Sequence, residues 1–270
     1  MIVHWQRVGF VHGVMNTDNM SIHGITIDYG PYGWLEDYNP NWTPNTTDAE
    51  GKRYRFGNQA NIALWNLYQL ANALYPLIEE AEPLETILNN FAKKYDEDFS
   101  EMMLKKLGIT SKNEENDKLI QQLLYNLEQT ETDFTIFFRN LNQINTADSV
   151  EECVSKINFA FYKPEEVTGI ILETWHFWFA QYLSILKEET ASDDERKLQL
   201  NSVNPKYVLR NYMAQTAIEL AEKEDYSLID ELYTLLLNPY DEQPEFEKWF
   251  AKRPDWARQK IGSSMLSCSS

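Results

Sequence analysis

The chain has 270 residues, of which 43% are hydrophobic and 13% aromatic, so it can bury a substantial core and is not a disordered polypeptide. Its 24 basic and 42 acidic residues give a formal charge of −18. Such a surface repels nucleic-acid phosphates and anionic lipid, so neither nucleic acid nor a membrane is expected as a partner.

The cysteines and histidines indicate no zinc site. Cys153 and Cys268 belong to no Cys-x-x-Cys pair, and the four histidines lack the spacing of zinc ligands. The sequence also contains no secretory signal and no apolar run of membrane-spanning length. We therefore expect a protein of a reducing compartment, the cytoplasm.

The first predicted elements are a short helix, a hairpin and a long loop. Residues 1–11 resemble the last turns of a helix that Gly9 interrupts, and the chain is expected to begin inside an element because no cap precedes them. Residues 21–28 alternate around a His-Gly pair, which predicts a short β-hairpin. Residues 31–56 form a loop rich in Pro, Asn, Asp, Tyr and Trp, and a loop of this length in a compact domain is usually functional.

From Gly57 onward the pattern predicts helices. The first ends at Pro76, and the second begins at Pro83 and stops near Gly108. The predicted apolar face of the first consists of Ile62, Trp65, Leu67, Leu70, Leu74 and Leu77. Further helices are predicted around 119–127, 132–139, 148–161, 165–189, 205–223, 226–237 and 244–252. The aromatic run 175–179 is interpreted as core, and with no repeat or linker we expect one mainly α-helical domain over residues 1–270, with a small β element near its start.

The stretch from residue 9 to residue 30 carries the strongest functional signal. Asp18 and Asn19 lie in one loop, and Asp28 follows the predicted hairpin, which would bring the two loops together. Mg²⁺ binds one or two protein carboxylates and leaves its other positions to water and phosphate oxygens, so these residues could form a magnesium–nucleotide site. The alternative is that Asp18 and Asn19 cap a turn and that Asp28 satisfies backbone donors.

The spacing in this stretch is similar to that of protein kinases. Kinases carry a His-Arg-Asp motif, then an Asn on the metal, then an Asp-Phe-Gly whose Asp binds the metal. The interval from His12 to Asn19 matches the kinase interval from His to Asn, and Asp28-Tyr29-Gly30 corresponds to Asp-Phe-Gly. Val14, however, stands where a kinase has its catalytic base.

Several blocks in a fixed order resemble the selenoprotein O (SelO) family. These blocks are residues 12–21, 27–33, 55–59, 64–67, 133–135, 204–212 and 238–243, together with the final 267–270. They span essentially the whole chain and are specific in combination, although each block alone is a weak signal.

The resemblance implies a protein-kinase-like fold and an adenylyltransferase that moves AMP from ATP to Ser, Thr or Tyr hydroxyls of proteins. In this family the nucleotide is flipped relative to kinases, which accounts for Val14. The resemblance implies that Asp18 acts as base or activator of the hydroxyl, and that Asn19 and Asp28 bind Mg²⁺ and, through it, ATP.

The chain resembles only the C-terminal portion of the family, a kinase-like C-lobe with extra C-terminal helices. No residues resemble a phosphate-covering loop, a strand lysine or its helix glutamate, which form the N-lobe of a kinase-like site. The basic segment 52–55 could lie near phosphates or could be an exposed loop. Because positioning and electrostatics supply most of the catalysis, we expect this chain alone to transfer AMP weakly or not at all.

Two other functions stay open from the sequence. One is a kinase that transfers the γ-phosphate, which Val14 disfavours, and the other is a non-catalytic remnant or interaction module, which the missing N-lobe favours. A redox role for Cys268 is doubtful, because the family's partner cysteine is absent from residues 41–48, where Pro44 stands instead.

Overall fold

The computed structural model describes residues 1–260, Ser263 and Leu266. In this part of the chain the protein is mainly α-helical and has a small antiparallel sheet of two strands, as predicted. The helices are α1 (Ile2–Val8), α2 (Gln59–Ile78), α3 (Glu82–Leu107), α4 (Glu114–Gln129), α5 (Phe134–Asn140), α6 (Val150–Ile157), α7 (Gly169–Glu188), α8 (Asp193–Val203), α9 (Asn211–Ala221) and α10 (Ser227–Leu237). The strands are β1 (Phe10–Val11) and β2 (Gly33–Trp34).

Local sequence signals explain many of the helix ends. Gly9 and Gly108 adopt left-handed backbone conformations and end α1 and α3, as the sequence predicts, because glycine enters this region without a Cβ clash. Ser149 forms a capping box with Glu152 at the start of α6. Helix α4 begins after Asn113, whose side chain accepts a hydrogen bond from the Asn116 N–H group.

Two predicted helices of the C-terminal part differ from those observed. Over the predicted range 205–223, the helix begins only at α9, because the N–H groups of Lys206 and Tyr207 both donate to the Pro239 carbonyl. The range 244–252 contains a 3-10 helix over Pro244–Trp249. The sequence reasoning also missed α8, although Ser192 and Glu195 give it a capping-box signal.

The main core lies between α3, α4, α5, α6 and α7. Trp175 and Trp178 are fully buried, whereas Phe177 of the same run is 58% exposed, so the interpretation of the aromatic run as core is confirmed only in part. The Trp178 indole donates to the Leu119 carbonyl at 3.0 Å, and the Tyr182 hydroxyl donates to the Leu107 carbonyl at 2.8 Å. These bonds satisfy the polar atoms of Trp178 and Tyr182 inside the core, whereas the indole nitrogen of Trp175 has no hydrogen-bond partner among the described residues.

The predicted apolar face of α2 is only partly buried. Ile62 packs in a small core with α1, whereas Trp65, Leu70 and Leu77 are 44%, 39% and 81% exposed. A cavity of about 860 Å³ lies between α2, α3 and the first residues of α1 and is open to solvent. Periodicity therefore identified the apolar stripe correctly but not its burial, because burial depends on which surface faces the stripe.

The C-terminal helices α9 and α10 form a second core and join the main body through a buried ion cluster. Arg210 donates to both oxygens of Asp133 at 2.8 and 2.9 Å and also to Glu36. All three side chains are buried. Burial raises the pKa of the Glu36 carboxyl, and the charge of Arg210 opposes that rise.

Lys106 of α3 is buried without a carboxylate partner in the described part of the chain. Its Nζ donates to the Arg7 carbonyl at 2.6 Å and lies 3.9 Å from the centre of the Phe138 ring. Burial lowers the pKa of Lys106 well below its usual value, and the charge of Arg7 lowers it further. The folded chain therefore holds the proton of this lysine less tightly than the unfolded chain does.

Replacing Lys106 with methionine should change how stability depends on pH. Because the unfolded state binds more protons between the two pKa values, native stability should gain up to about 1.4 kcal/mol per pH unit relative to Lys106→Met in that interval. Urea unfolding of both proteins at neutral to alkaline pH measures this difference. Lys105→Met, at an exposed neighbouring position, is the control. Its free energy of unfolding should change with pH in the same way as that of the native chain. Parallel curves for Lys106→Met would contradict the lowered pKa.

The cysteines contribute no identified redox pair. Cys153 is buried in α6, inside a range predicted as helix, and burial raises the pKa of its thiol to about 12. Cys268 lies outside the described residues, as does the block 267–270. Among the helices described, none is long and apolar enough to span a membrane.

Candidate active site

The candidate site lies in the segment between the two strands. Phe10 pairs with Trp34 and Val11 pairs with Gly33, so β1 and β2 fix both ends of residues 12–32. This arrangement positions the two predicted ligand loops at one end of the small sheet.

The predicted hairpin over residues 21–28 is wrong. The segment makes a turn in which the Gly24 N–H donates to the Ser21 carbonyl at 3.1 Å, and it contains no strand. Ile22 and Ile25 are 80% and 57% exposed. The alternating pattern fails here because its apolar residues Ile22 and Ile25 face solvent instead of a core. The pairing of β1 with β2 joins the two loops in place of the predicted hairpin.

Asp18 and Asn19 lie on a single 3-10 turn, Thr17–Asn19. The Asn19 amide donates to the Val14 carbonyl at 3.1 Å, which leaves its Oδ1 without a hydrogen-bond partner among the described residues. Asn66 of α2 donates to the Met15 carbonyl at 3.1 Å and so fixes the backbone just before the turn. Asp18 is exposed, and its carboxylate has no hydrogen bond or ion pair to the described part of the protein.

His12 connects the turn to the second loop. Its Nε2 contacts the Ile27 carbonyl at 2.8 Å, and its Nδ1 accepts from the Val14 N–H at 3.4 Å. The neutral tautomer with its proton on Nε2 satisfies both contacts. The bonds from Asn19 to Val14, from Val14 to His12 and from His12 to Ile27 form a continuous chain that reaches the residue before Asp28.

Asp28 has a strained backbone and an exposed side chain. Its φ is 54°, in the left-handed region that residues other than glycine rarely adopt. Among these residues, Asp and Asn tolerate this conformation best. The Asp28 carbonyl accepts from the Gly30 N–H at 2.8 Å. Its carboxylate has no hydrogen bond or ion pair within the described residues. Strained residues of this kind cluster at functional sites.

The donor set fits Mg²⁺ when part of the coordination comes from a phosphate. An amide oxygen from Asn19 and a carboxylate from Asp28 are hard oxygen ligands, and Mg²⁺ keeps its other positions for water or phosphate oxygens. Across residues 1–260, Ser263 and Leu266, no three His, Cys, Asp or Glu side chains form a group that could hold a metal by itself. The arrangement therefore fits a metal shared with a nucleotide better than a metal held entirely by protein.

Helix α9 contacts the second loop through one side chain. The Asn211 amide at the start of α9 donates to the Tyr32 carbonyl at 3.4 Å. A Cβ at Gly33 would approach the side-chain oxygen of Asn211 to 2.6 Å, so any larger residue there would displace the Asn211 side chain. Sequence reasoning placed Asn211 in a family block but assigned it no role, because a contact over such a separation has no local signal.

These features define a mainly helical protein whose oxygen donors lie on two loops joined by hydrogen bonds. A profile of the family described as "Protein adenylyltransferase SelO" matches residues 1–237, and the chain belongs to this family.

The curated relatives are named as nucleotidyltransferases. The chain is 66% identical over all its 270 residues to "Protein nucleotidyltransferase YdiU" of Flavobacterium johnsoniae, and it covers 52% of that protein. It is 51% identical over its full length to the protein of the same name from Aromatoleum aromaticum, and covers 51% of it. The relative from Rhodopirellula baltica is 50% identical over 281 aligned positions, with 52% covered. The chain thus spans about half the length of the curated relatives it matches.

Proposed function

We propose that this chain supplies the metal-binding and hydroxyl-activating part of a SelO-family protein adenylyltransferase. In this proposal residues 1–270 are a single domain, equivalent to the C-lobe of a kinase-like fold with additional C-terminal helices. The substrates are ATP and protein hydroxyls of Ser, Thr or Tyr.

Each site residue has a separate role in the proposed reaction. Asp18 accepts the proton of the substrate hydroxyl, whose oxygen forms a bond to the α-phosphorus of ATP while the bond to pyrophosphate breaks. Asn19 and Asp28 would hold Mg²⁺, which supplies charge neutralisation at the phosphates when bound. The exposed and unpaired carboxylate of Asp18 supports its role, because a proton acceptor must be reachable by the incoming hydroxyl.

The hydrogen-bond chain through His12 carries the proposal. It couples the loop of Asn19 to the backbone next to Asp28, and it would keep two ligands from separate loops in a fixed relation. An arrangement that served only to cap a turn would not need a bond across to Ile27. Because phosphoryl-type transfer depends mainly on positioning and charge neutralisation, fixing these two donors is the contribution that such a site requires.

The rate of the chain alone is expected to be low. The sheet described here consists of Phe10, Val11, Gly33 and Trp34, and carries no lysine that could clamp the phosphates. A chimera, in which this chain replaces the matching segment of the Flavobacterium johnsoniae relative, should transfer AMP faster by orders of magnitude. If the chain alone were as fast as the chimera, the expected deficit would be wrong.

Labelled ATP distinguishes AMP transfer from phosphate transfer. The chimera, with Mg²⁺ and casein as acceptor, should incorporate label from the α-phosphate and none from the γ-phosphate. Asp18→Ala should lower incorporation by about 100-fold or more, since it removes the proton acceptor. Asp96→Ala, at an exposed carboxylate of α3, is the matched control and should leave the rate unchanged. Transfer of the γ-label would exclude the proposed reaction.

A further inference from the structure

The segment Lys52–Arg55, called here the basic loop, is the feature that the proposed site does not use. It places three cations within four residues of a chain whose net charge is −18. None of the three forms an ion pair with the described residues, whereas many other cations of the chain do. A group of unpaired cations on an acidic protein attracts acidic ligands.

The basic loop lies beside the candidate catalytic turn. The Tyr54 hydroxyl donates to the Asn16 side chain, and Asn16 is the N-cap residue of the turn that carries Asp18. A second contact is independent of the first: Arg53 lies over the ring of Trp65, 4.7 Å from its centre. The next residue of α2, Asn66, binds the backbone of the same turn.

The loop is held in one conformation by the protein. Asp48 accepts the N–H groups of Arg53 and Tyr54 at 2.8 and 2.7 Å, so its charge is directed at the backbone. Asn58 donates to the Arg53 carbonyl at 2.7 Å. Lys52 has a φ of 46°, a left-handed conformation that these bonds must maintain.

The positions of the charged groups determine what they can bind. Arg53 lies over the ring of exposed Trp65, and its guanidinium N–H groups have no hydrogen-bond partner among the described residues, so they are available to a carboxylate. Lys52 is exposed next to it, whereas Arg55 donates to the Lys52 carbonyl at 3.0 Å and mainly supports the loop. Lys52 and Arg53 therefore form the binding surface.

We propose that Lys52 and Arg53 bind an acidic segment of the protein substrate, next to the hydroxyl that Asp18 activates. This deepens the proposed function and rests on it for the identity of the site, but the binding itself needs no catalysis. Such contacts select acceptor hydroxyls that have Asp or Glu near them in the sequence.

Peptide binding to the full chain tests this proposal directly. The probe is a short fluorescein-labelled peptide with one Ser between Glu and Asp residues, compared with the same peptide carrying Gln and Asn instead. Fluorescence anisotropy should show tighter binding of the acidic peptide, and the preference should shrink as salt is added. The double variant Lys52→Gln, Arg53→Gln should weaken its binding by about tenfold, since two solvent-exposed charge contacts are lost.

A matched control separates the site from the overall charge. Lys187→Gln, Lys197→Gln removes the same charge from exposed positions in α7 and α8 and should leave peptide affinity unchanged. Equal binding of the two peptides, or equal losses in the two double variants, would overturn the proposal. Loss of ATP affinity with unchanged peptide affinity in the Lys52, Arg53 variant would overturn it too, because the loop would then bind nucleotide phosphates.

The two proposals can fail separately. If the chimera transfers no AMP while the acidic peptide still binds through Lys52 and Arg53, the proposed reaction is wrong and the binding surface stands. If AMP transfer is observed but kcat/KM is the same for acidic and neutral peptides, the reaction stands and the recognition surface is wrong.

Discussion

Replacing Arg210 with methionine is expected to lower the free energy of unfolding by about 3–5 kcal/mol, because it leaves two buried carboxylates without their cation. Asp133 and Glu36 would keep their positions in the core, one of them at the start of α5, but lose the group that compensates their desolvation. Urea unfolding followed by circular dichroism measures the loss. The loss should be smaller at acidic pH. Burial raises the pKa of Glu36 in the folded state, and without Arg210 the charge that opposes this rise is absent, so protonation of Glu36 stabilises the folded variant.

Two further variants show whether charge is the cause. Arg258→Met removes a similar pair, with both N–O distances at 2.9 Å, from a half-buried position on Glu131 and should cost about 1 kcal/mol or less. Adding Asp133→Asn and Glu36→Gln to Arg210→Met should restore much of the lost stability, since these three positions then carry no charge. If Arg210→Met lost no more stability than Arg258→Met, the inference that Arg210 compensates two buried carboxylates would be wrong.

Replacing Asp28 with asparagine is expected to reduce AMP transfer in the chimera by at least about 100-fold, because the proposed Mg²⁺ site would lose its charged protein ligand. Asn tolerates the left-handed backbone at this position, so the fold should be unaffected. Calorimetric titration with ATP should show that the Mg²⁺-dependent part of binding is lost in this variant.

Asp28→Gly and Asp18→Asn are the informative comparisons for this site. Glycine relieves the positive φ, so Asp28→Gly should raise stability by up to about 1 kcal/mol while abolishing transfer. Asp18→Asn should keep Mg²⁺-dependent ATP binding and lose transfer, because the proposed role of Asp18 is to accept a proton. Unchanged transfer in Asp28→Asn would exclude Asp28 as a metal ligand.

The helical part of the fold was predictable where local signals decide it. Gly9 and Gly108 end helices as expected, and Trp175, Trp178 and Phe179 of the aromatic run are core as expected, whereas Phe177 is exposed. The start of α9 was not predictable, because the preceding residues bind the Pro239 carbonyl, a partner distant in sequence. The exposure of Trp65 was also beyond sequence reasoning, since an amphipathic stripe does not reveal which surface covers it.

The candidate site was only partly predictable. Asp18, Asn19 and Asp28 follow from residue type, spacing and family resemblance, and their roles stay predictions. The connection between them was assigned to a hairpin that does not form, whereas β1, β2 and His12 provide it. Period-2 alternation could not reveal this, because strand pairing across 21 intervening residues and a side-chain bond to a carbonyl leave no local pattern.

The hydrogen-bond chain through His12 has a consequence for how such a site can diversify. At Val14 and Ile27 it uses main-chain atoms, so it places no demand on the side chains at these two positions. Position 14 is where a kinase carries its base, and a change there alters the reactive groups without disturbing the relation between Asn19 and Asp28. If Asn19 and Asp28 are the ligands proposed above, single substitutions at position 14 could change the reactive groups while the geometry of these two ligands is kept.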